Sequence, residues 1–95
     1  MFIVLLKFSD NKASAGDHMA GHNAWIKHGF DDGIFLLAGS IETGQGGVLL
    51  AQNISLSSLE DRVNEDPFVK ENVVTAEIIE TSPKKVDQRL DFLLV

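Results

Sequence analysis

The sequence contains no cysteine, so neither disulfide bonds nor thiolate metal sites can contribute to its stability. It has only two prolines and no tyrosine, and no apolar run approaches the roughly 18 residues of a membrane span. Basic residues are also scarce: eight Lys and Arg stand against fourteen Asp and Glu, which gives a net charge of −6. Because such a surface repels phosphate backbones and anionic lipid, neither nucleic acid nor a membrane is expected as a partner.

What is present is ordinary globular composition, with 44% apolar and 23% charged residues in a chain of 95. This length predicts one domain. The opening Met1–Leu6 is apolar, but it lacks a basic segment before it and stops at Lys7, so it does not resemble a secretion signal. We therefore expect a cytoplasmic protein.

Four short runs of aliphatic, β-branched and aromatic residues predict strands at 2–8, 34–38, 47–52 and 73–79. Two segments between them predict helices at about 14–32, ending at Gly33, and 55–64. The order β-α-β-β-α-β predicts a ferredoxin-like α+β protomer, with an antiparallel sheet and both helices on one face.

Local signals at the ends of these elements sharpen the prediction. Ser55 or Ser57 is expected to cap the second helix, and Ser57 with Glu60 has capping-box spacing. Asp66-Pro67 is interpreted as the breaker that ends this helix. The segment 44–47 is glycine-rich and predicts a hairpin turn rather than a phosphate loop, because neither Gly-Lys-Ser/Thr nor a helix follows it.

The predicted strands do not alternate between apolar and polar residues, so both faces of the sheet require burial. Two helices cover only one face. We therefore expect a homodimer packed through the sheet faces, a dimeric α+β barrel. The domain is assigned to residues 1–83, and the tail 84–95, with apolar residues at helical spacing, is expected to dock on the domain or on the partner subunit.

The first predicted helix holds all three histidines, His18, His22 and His28. A helical wheel groups its apolar side chains into one stripe that we expect to be buried: Met19, Ile26 and Phe30. His22 falls at the edge of this stripe, where its ring could reach a cleft, whereas His28 faces solvent. The alternative is a boundary histidine whose ring is satisfied by a backbone carbonyl.

A metal site is a weaker hypothesis. His18 and His22 have the i, i+4 spacing that lets two imidazoles share a metal, and Asp17 is adjacent. Because there is no HExxH motif and no evident third ligand, no metal and no other cofactor is expected. The sequence also lacks a cysteine nucleophile and a GxSxG elbow.

Asp66 and Lys7 are the remaining candidates. Asp66 alone is typical of a turn or a cap, but the predicted topology packs the two helices side by side, so its carboxylate could meet His22 and orient the ring. Lys7 ends an apolar strand and is more typical of an exposed strand-end lysine.

Several segments together resemble the YciI-like (YCII-related) family over about residues 2–82: His22–Trp25, Gly33–Ser40, Gly46–Leu50 and Glu65–Val69. The resemblance implies a dimeric α+β barrel and a paired His and Asp, which correspond to His22 and Asp66. It also implies small-molecule chemistry, since some relatives act in dehydrochlorination-like steps of aromatic degradation. Ser40 stands where the family usually has proline.

These observations favour a small, cofactor-independent enzyme of lyase or isomerase type. His22 would transfer protons, Asp66 would hold its tautomer, and Ser40 would bind the substrate. The alternative is a non-catalytic dimer of the same family that binds a small ligand in the same cleft.

Overall fold

The computed structural model describes residues 1–94. Its strands are β1 (Phe2–Phe8), β2 (Phe35–Ser40), β3 (Gly46–Ala51) and β4 (Val74–Glu80), and its helices are α1 (Ala15–Asp31), α2 (Leu56–Asn64) and α3 (Pro67–Lys70). The strands form one antiparallel sheet in the order β2-β3-β1-β4. The predicted ferredoxin-like α+β class is confirmed. Among residues 1–94, no helix combines the length and apolar character that a membrane crossing requires.

The core lies between the helices and one face of the sheet. Cross-strand partners share a face, so Val4 aligns with Leu49 and Ile78, and Leu6 aligns with Gly47. Val4 and Leu49 are fully or almost fully buried, as are Leu59 and Val63 of α2. The side of the sheet that carries Val4, Leu6 and Leu49 is called the helix face below.

Helix α1 buries a different side from the one that the wheel predicts. Trp25 and Gly29 are buried, whereas Met19 and Phe30 are 43% and 42% exposed. Of the predicted stripe, Ile26 packs against the core, but the prediction is wrong for Met19 and Phe30. Gly29 explains the difference, because the absence of its side chain makes room for the Phe35 ring directly against the helix backbone.

The ends of the helices match the sequence-based predictions only in part. Gly33 follows α1 with φ of +74°, as predicted for a helix-ending glycine. Ser55 caps α2, since its Oγ accepts a hydrogen bond from the Ser58 N–H at 3.2 Å, so the Ser57–Glu60 capping box is wrong. Asp66-Pro67 does end α2, but it also begins α3, with Asp66 as the N-cap and Pro67 in the first turn.

The other side of the sheet, called the open face below, carries mainly apolar residues: Ile3, Leu5, Leu37, Val48, Leu50 and Ile79. Burial alternates along β1, where Ile3 and Leu5 are only half-buried within one chain. Leu37 and Ile79 remain 46% and 40% exposed. The strands that lack alternation therefore place apolar residues on the face of the sheet opposite α1, α2 and α3.

The tail forms short 3-10 turns over Gln88–Leu94, interrupted at Leu90, instead of a regular helix. Together with Leu37 and Leu50 of the open face, it encloses an apolar space of about 520 Å³. Phe92 is 46% exposed. Val95 lies outside the described residues. The boundary at residue 83 and the docking of the tail remain predictions.

Replacing Gly29 by alanine should destabilise the protein, because the new methyl group would overlap the Phe35 ring. Overpacking of this kind costs about 1–3 kcal/mol of unfolding free energy. Gly16→Ala is the matched control, since no atom lies within 4 Å of the position that a Cβ would take there, and alanine favours a helix by about 1 kcal/mol. Urea unfolding of both variants measures the difference, and equal midpoints would contradict the packing described for Gly29.

Dimer formation through the open face predicts a scattering mass of about twice 10.4 kDa at micromolar concentration. A lysine at Leu37 or Ile79 should lower this mass towards that of one chain, because the charge would be buried in the interface. Leu56→Lys is the control, since Leu56 is 40% exposed but lies on α2, away from the open face. A stable wild-type monomer would refute the dimer.

Candidate active site

Helices α1 and α3 come into close contact beside the sheet. A Cβ at Gly21 of α1 would lie 3.1 Å from Cγ of Pro67, so the missing side chain permits this approach. The contact places His22, the next residue on α1, against the N-terminus of α3. The two helices thereby bring together residues that are 44 positions apart in the sequence.

The imidazole of His22 is bound to Asp66. Nδ1 lies 2.8 Å from Oδ1 of Asp66, and the side chain of His22 is only 12% exposed. The contact expected from the topology is therefore present. His22 is held by this carboxylate rather than by a backbone carbonyl, so the boundary-histidine alternative does not describe its contacts.

Asp66 is fully buried, and two donors converge on one of its oxygens. Oδ1 accepts from the His22 ring and from the backbone N–H of Phe68 at 3.0 Å, while Oδ2 has no hydrogen-bond partner among residues 1–94. The capping hydrogen bond fixes the carboxylate on α3, since an N-cap side chain is bound by the first turn of its own helix. The carboxylate thus has a defined position from which to orient the imidazole.

Phe68 positions both members of this pair. Its backbone N–H holds Asp66, and its ring lies parallel to the His22 ring, with centroids 3.9 Å apart and 4° between the planes. Sequence reasoning did not identify this role. An N-cap residue followed by Pro at the first helical position predicts a helix start, and applying that rule to Asp66-Pro67 would have placed Phe68 in α3 beside the carboxylate.

The bond to Asp66 determines which nitrogen of His22 can act. A carboxylate accepts hydrogen bonds, so the Nδ1–H donates to it and Nε2 carries the free lone pair of the neutral ring. No protein group within residues 1–94 is hydrogen-bonded to Nε2. The ring therefore has the arrangement of an oriented base.

His22 lines a cavity of about 310 Å³ between α1 and the helix face of the sheet. Most of its walls are apolar, and the polar side chains of the lining are His22, Asn23 and Ser40. Ser40, at the end of β2, is thus brought to the same cavity as His22, whereas Asp66 lies behind the ring and does not line it. Asn23 was not identified from the sequence.

The other sequence candidates do not meet at this site. His18, His28 and Lys7 do not line the cavity, and Lys7 lies 4.0 Å from Glu77 with half of its side chain exposed. Residues 1–94 contain no group of three or more His, Asp or Glu side chains arranged to hold a metal ion. The predicted hairpin turn is present, with the Gly44 N–H bound to the Ile41 carbonyl, but β3 begins earlier than predicted, so Gly46 and Gly47 already belong to the strand.

Comparison with known proteins supports the fold. No protein-family model and no curated protein matches the chain. A similar solved structure is that of 5-chloro-2-hydroxyhydroquinone dehydrochlorinase (TftG) from Burkholderia phenoliruptrix AC1100, in complex with 2,5-dihydroxybenzoquinone. It has a TM-score of 0.68 and 15% identity, covering 85% of this chain and 93% of that one. At this identity the likeness shows a shared α+β barrel protomer fold, and the YciI-like assignment remains a prediction.

The buried carboxylate should stabilise the fold as well as orient His22. Asp66→Ala removes the cap of α3 and leaves the Phe68 N–H and the His22 Nδ1–H without an acceptor. We expect a loss of about 2–4 kcal/mol of unfolding free energy, measured by urea denaturation. Asp66→Asn keeps an oxygen cap and should lose much less. A loss of less than about 0.5 kcal/mol in Asp66→Ala would contradict the stabilising role of the two hydrogen bonds. Equal large losses in the two variants would assign the effect to the charge instead of the hydrogen bonds.

Proposed function

We propose that the protein is a small enzyme of lyase or isomerase type in which His22 acts as general acid and base. The observation that carries this proposal is the 2.8 Å contact between His22 Nδ1 and a fully buried Asp66, made by a ring that also lines a cavity. The buried carboxylate holds the ring in one tautomer, and Nε2 is the nitrogen that exchanges protons with the substrate.

In the forward step, Nε2 removes a proton from a C–H or O–H group of the substrate. The electron pair left behind forms a new π bond, and either a leaving group departs with its own electron pair or the proton returns at another atom. Asp66 stabilises the imidazolium that forms. General acid–base catalysis of this kind contributes about 10²–10⁴-fold, which suits an already activated substrate and requires neither a metal nor an organic cofactor.

Ser40 is proposed to bind the substrate. It lines the cavity with His22 from the end of β2, and its hydroxyl can both donate and accept a hydrogen bond. In a mostly apolar cavity, a small number of polar groups fixes the orientation of a ligand.

The similarity to a dehydrochlorinase supports the lyase form of the proposal, because loss of HCl is a proton transfer coupled to departure of a leaving group. The resemblance to the YciI-like family points to the same chemistry. Membership of that family, a cytoplasmic location and a homodimer formed through the open face belong to this proposal. Its rival is a non-catalytic binding protein that uses the same cavity.

Chloride release from 5-chloro-2-hydroxyhydroquinone, the compound named for the similar structure, tests the enzyme proposal. The wild type should release chloride with a pH-dependent rate. His22→Gln should reduce kcat by about 10²–10⁴-fold, since the amide is not a base at neutral pH. Asp66→Asn should reduce it less, because the ring remains while its orienting charge is lost.

His28→Ala is the control, since His28 is exposed and does not line the cavity. Its activity should equal that of the wild type. If the wild type binds the compound but shows no turnover that depends on His22, the rival is supported and the enzyme proposal is wrong.

A further inference from the structure

In the described part of the chain, the lining of the cavity carries no permanently charged side chain. No Lys, Arg, Asp or Glu side chain of residues 1–94 lines it, and its polar side chains are His22, Asn23 and Ser40. An anionic group that entered would lose its hydration without gaining an opposite charge, which is costly in an apolar environment. Apart from the His22 ring, the described lining therefore offers no group that could compensate the charge of a carboxylate or a phosphate.

The charged side chain that contacts His22 is an acidic one. Asp66 lies directly behind the His22 ring, and no Lys or Arg of the described residues forms an ion pair with it. When His22 is the neutral base that the proposed function requires, the pair with an ionised Asp66 carries one negative charge before reaction. The chain as a whole carries −6, so the surrounding field has the same sign.

The size of the cavity depends on Gly47. Gly47 of β3 pairs with Leu6 of β1 and with Ser40 of β2, and all three lie on the helix face. A side chain at position 47 would therefore point into the space between the sheet and α1. Its Cβ would also lie 3.2 Å from the Gly39 carbonyl oxygen. The remaining volume of about 310 Å³ is at the lower end of ligand-binding cavities.

The walls favour a flat ligand. Phe68, whose ring stacks on His22, lines the cavity, and so does Phe8. Aromatic side chains bind other aromatic rings by offset stacking or edge-to-face contact. A small aromatic ligand fits this volume and these surfaces.

We propose that this cavity selects small, uncharged aromatic substrates and discriminates against anionic ones through the charge of Asp66, with Gly47 keeping the space beside the sheet open for them. The inference rests on the proposed function and adds the substrate class to it. It also fits the chemistry: a neutral substrate becomes an anion as His22 becomes a cation, so the site pairs opposite charges only once the proton has moved. Interactions that strengthen during the reaction raise its rate.

One cation lies near the outer wall and could have the opposite effect. Lys12 Nζ lies 4.7 Å from the centre of the Phe8 ring. It is exposed to solvent and does not line the cavity, so water screens its charge from a ligand inside. The Lys12→Gln variant therefore distinguishes attraction of an anionic ligand by Lys12 from its repulsion by Asp66.

Benzamide and benzoate are matched probes, because they have nearly the same shape and differ by one charge. NMR titration of the full chain, observed at the Met19 methyl group and the His22 ring, measures their binding in the cavity. The wild type should bind benzamide at least about tenfold more tightly than benzoate. In Asp66→Asn the difference should narrow through tighter binding of benzoate, with benzamide unchanged.

Two variants test whether the space beside the sheet must stay open. Gly47→Val should abolish benzamide binding, because the new side chain fills the cavity. Ser40→Leu on the neighbouring strand should have the same effect, so the test remains valid if Gly47→Val does not fold. Lys12→Gln should leave both affinities unchanged. Amide spectra show which variants are folded.

Benzoate binding as tight as benzamide binding would overturn the proposal, and so would benzoate binding that Lys12→Gln weakens. Absence of any effect of benzamide on Met19 or His22 at tens of millimolar would overturn the ring-binding part. If benzamide and benzoate bind equally well but chloride release still depends on His22, only the proposed substrate class is refuted. If benzamide still binds more tightly than benzoate but His22→Gln releases chloride as fast as the wild type, only the proposed function is refuted.

Discussion

A fully buried carboxylate links the local structure of this protein to its chemistry. Oδ1 of Asp66 receives the N–H that begins α3 and the N–H of the His22 ring, so one oxygen atom both caps a helix and orients an imidazole. Burying a carboxylate is costly unless donors compensate for its lost hydration. The Phe68 N–H belongs to α3 itself, whereas the His22 donor depends on α3 lying against α1. The missing side chain of Gly21 permits that approach. The geometry of the pair is therefore a consequence of helix packing.

The same carboxylate keeps one oxygen without a partner. Oδ2 is buried and receives no hydrogen bond from residues 1–94. A second donor there would stabilise the carboxylate further and would weaken its hold on the ring, because the negative charge would be shared among more partners. The His22 bond is one of two hydrogen bonds that the Asp66 side chain makes within residues 1–94, and a buried charge with few partners acts strongly on each of them.

The sequence predicted the strands, their order and the His22–Asp66 contact, because hydrophobic runs and turn residues determine the topology and the topology brings the helices together. It did not predict which side of α1 is buried. A wheel ranks side chains by hydrophobicity, whereas here the decisive residue is Gly29, whose lack of a side chain admits Phe35. It also missed α3 and with it Phe68, because Asp-Pro was interpreted only as the end of a helix. Both failures concern contacts between elements, which periodicity within one element does not contain.

The sheet separates the candidate active site on its helix face from the exposed apolar residues on its open face. His22 and Asp66 lie on the helix side, and Ser40 reaches the same cavity from the end of β2. The exposed apolar side chains of Leu37 and Ile79 lie on the open face. The orientation of the imidazole is set within one chain by α1 and α3, so covering the open face adds burial without supplying a group to the dyad. A small domain that buries little surface by itself can thus gain stability from a second copy while its site remains defined by its own helices.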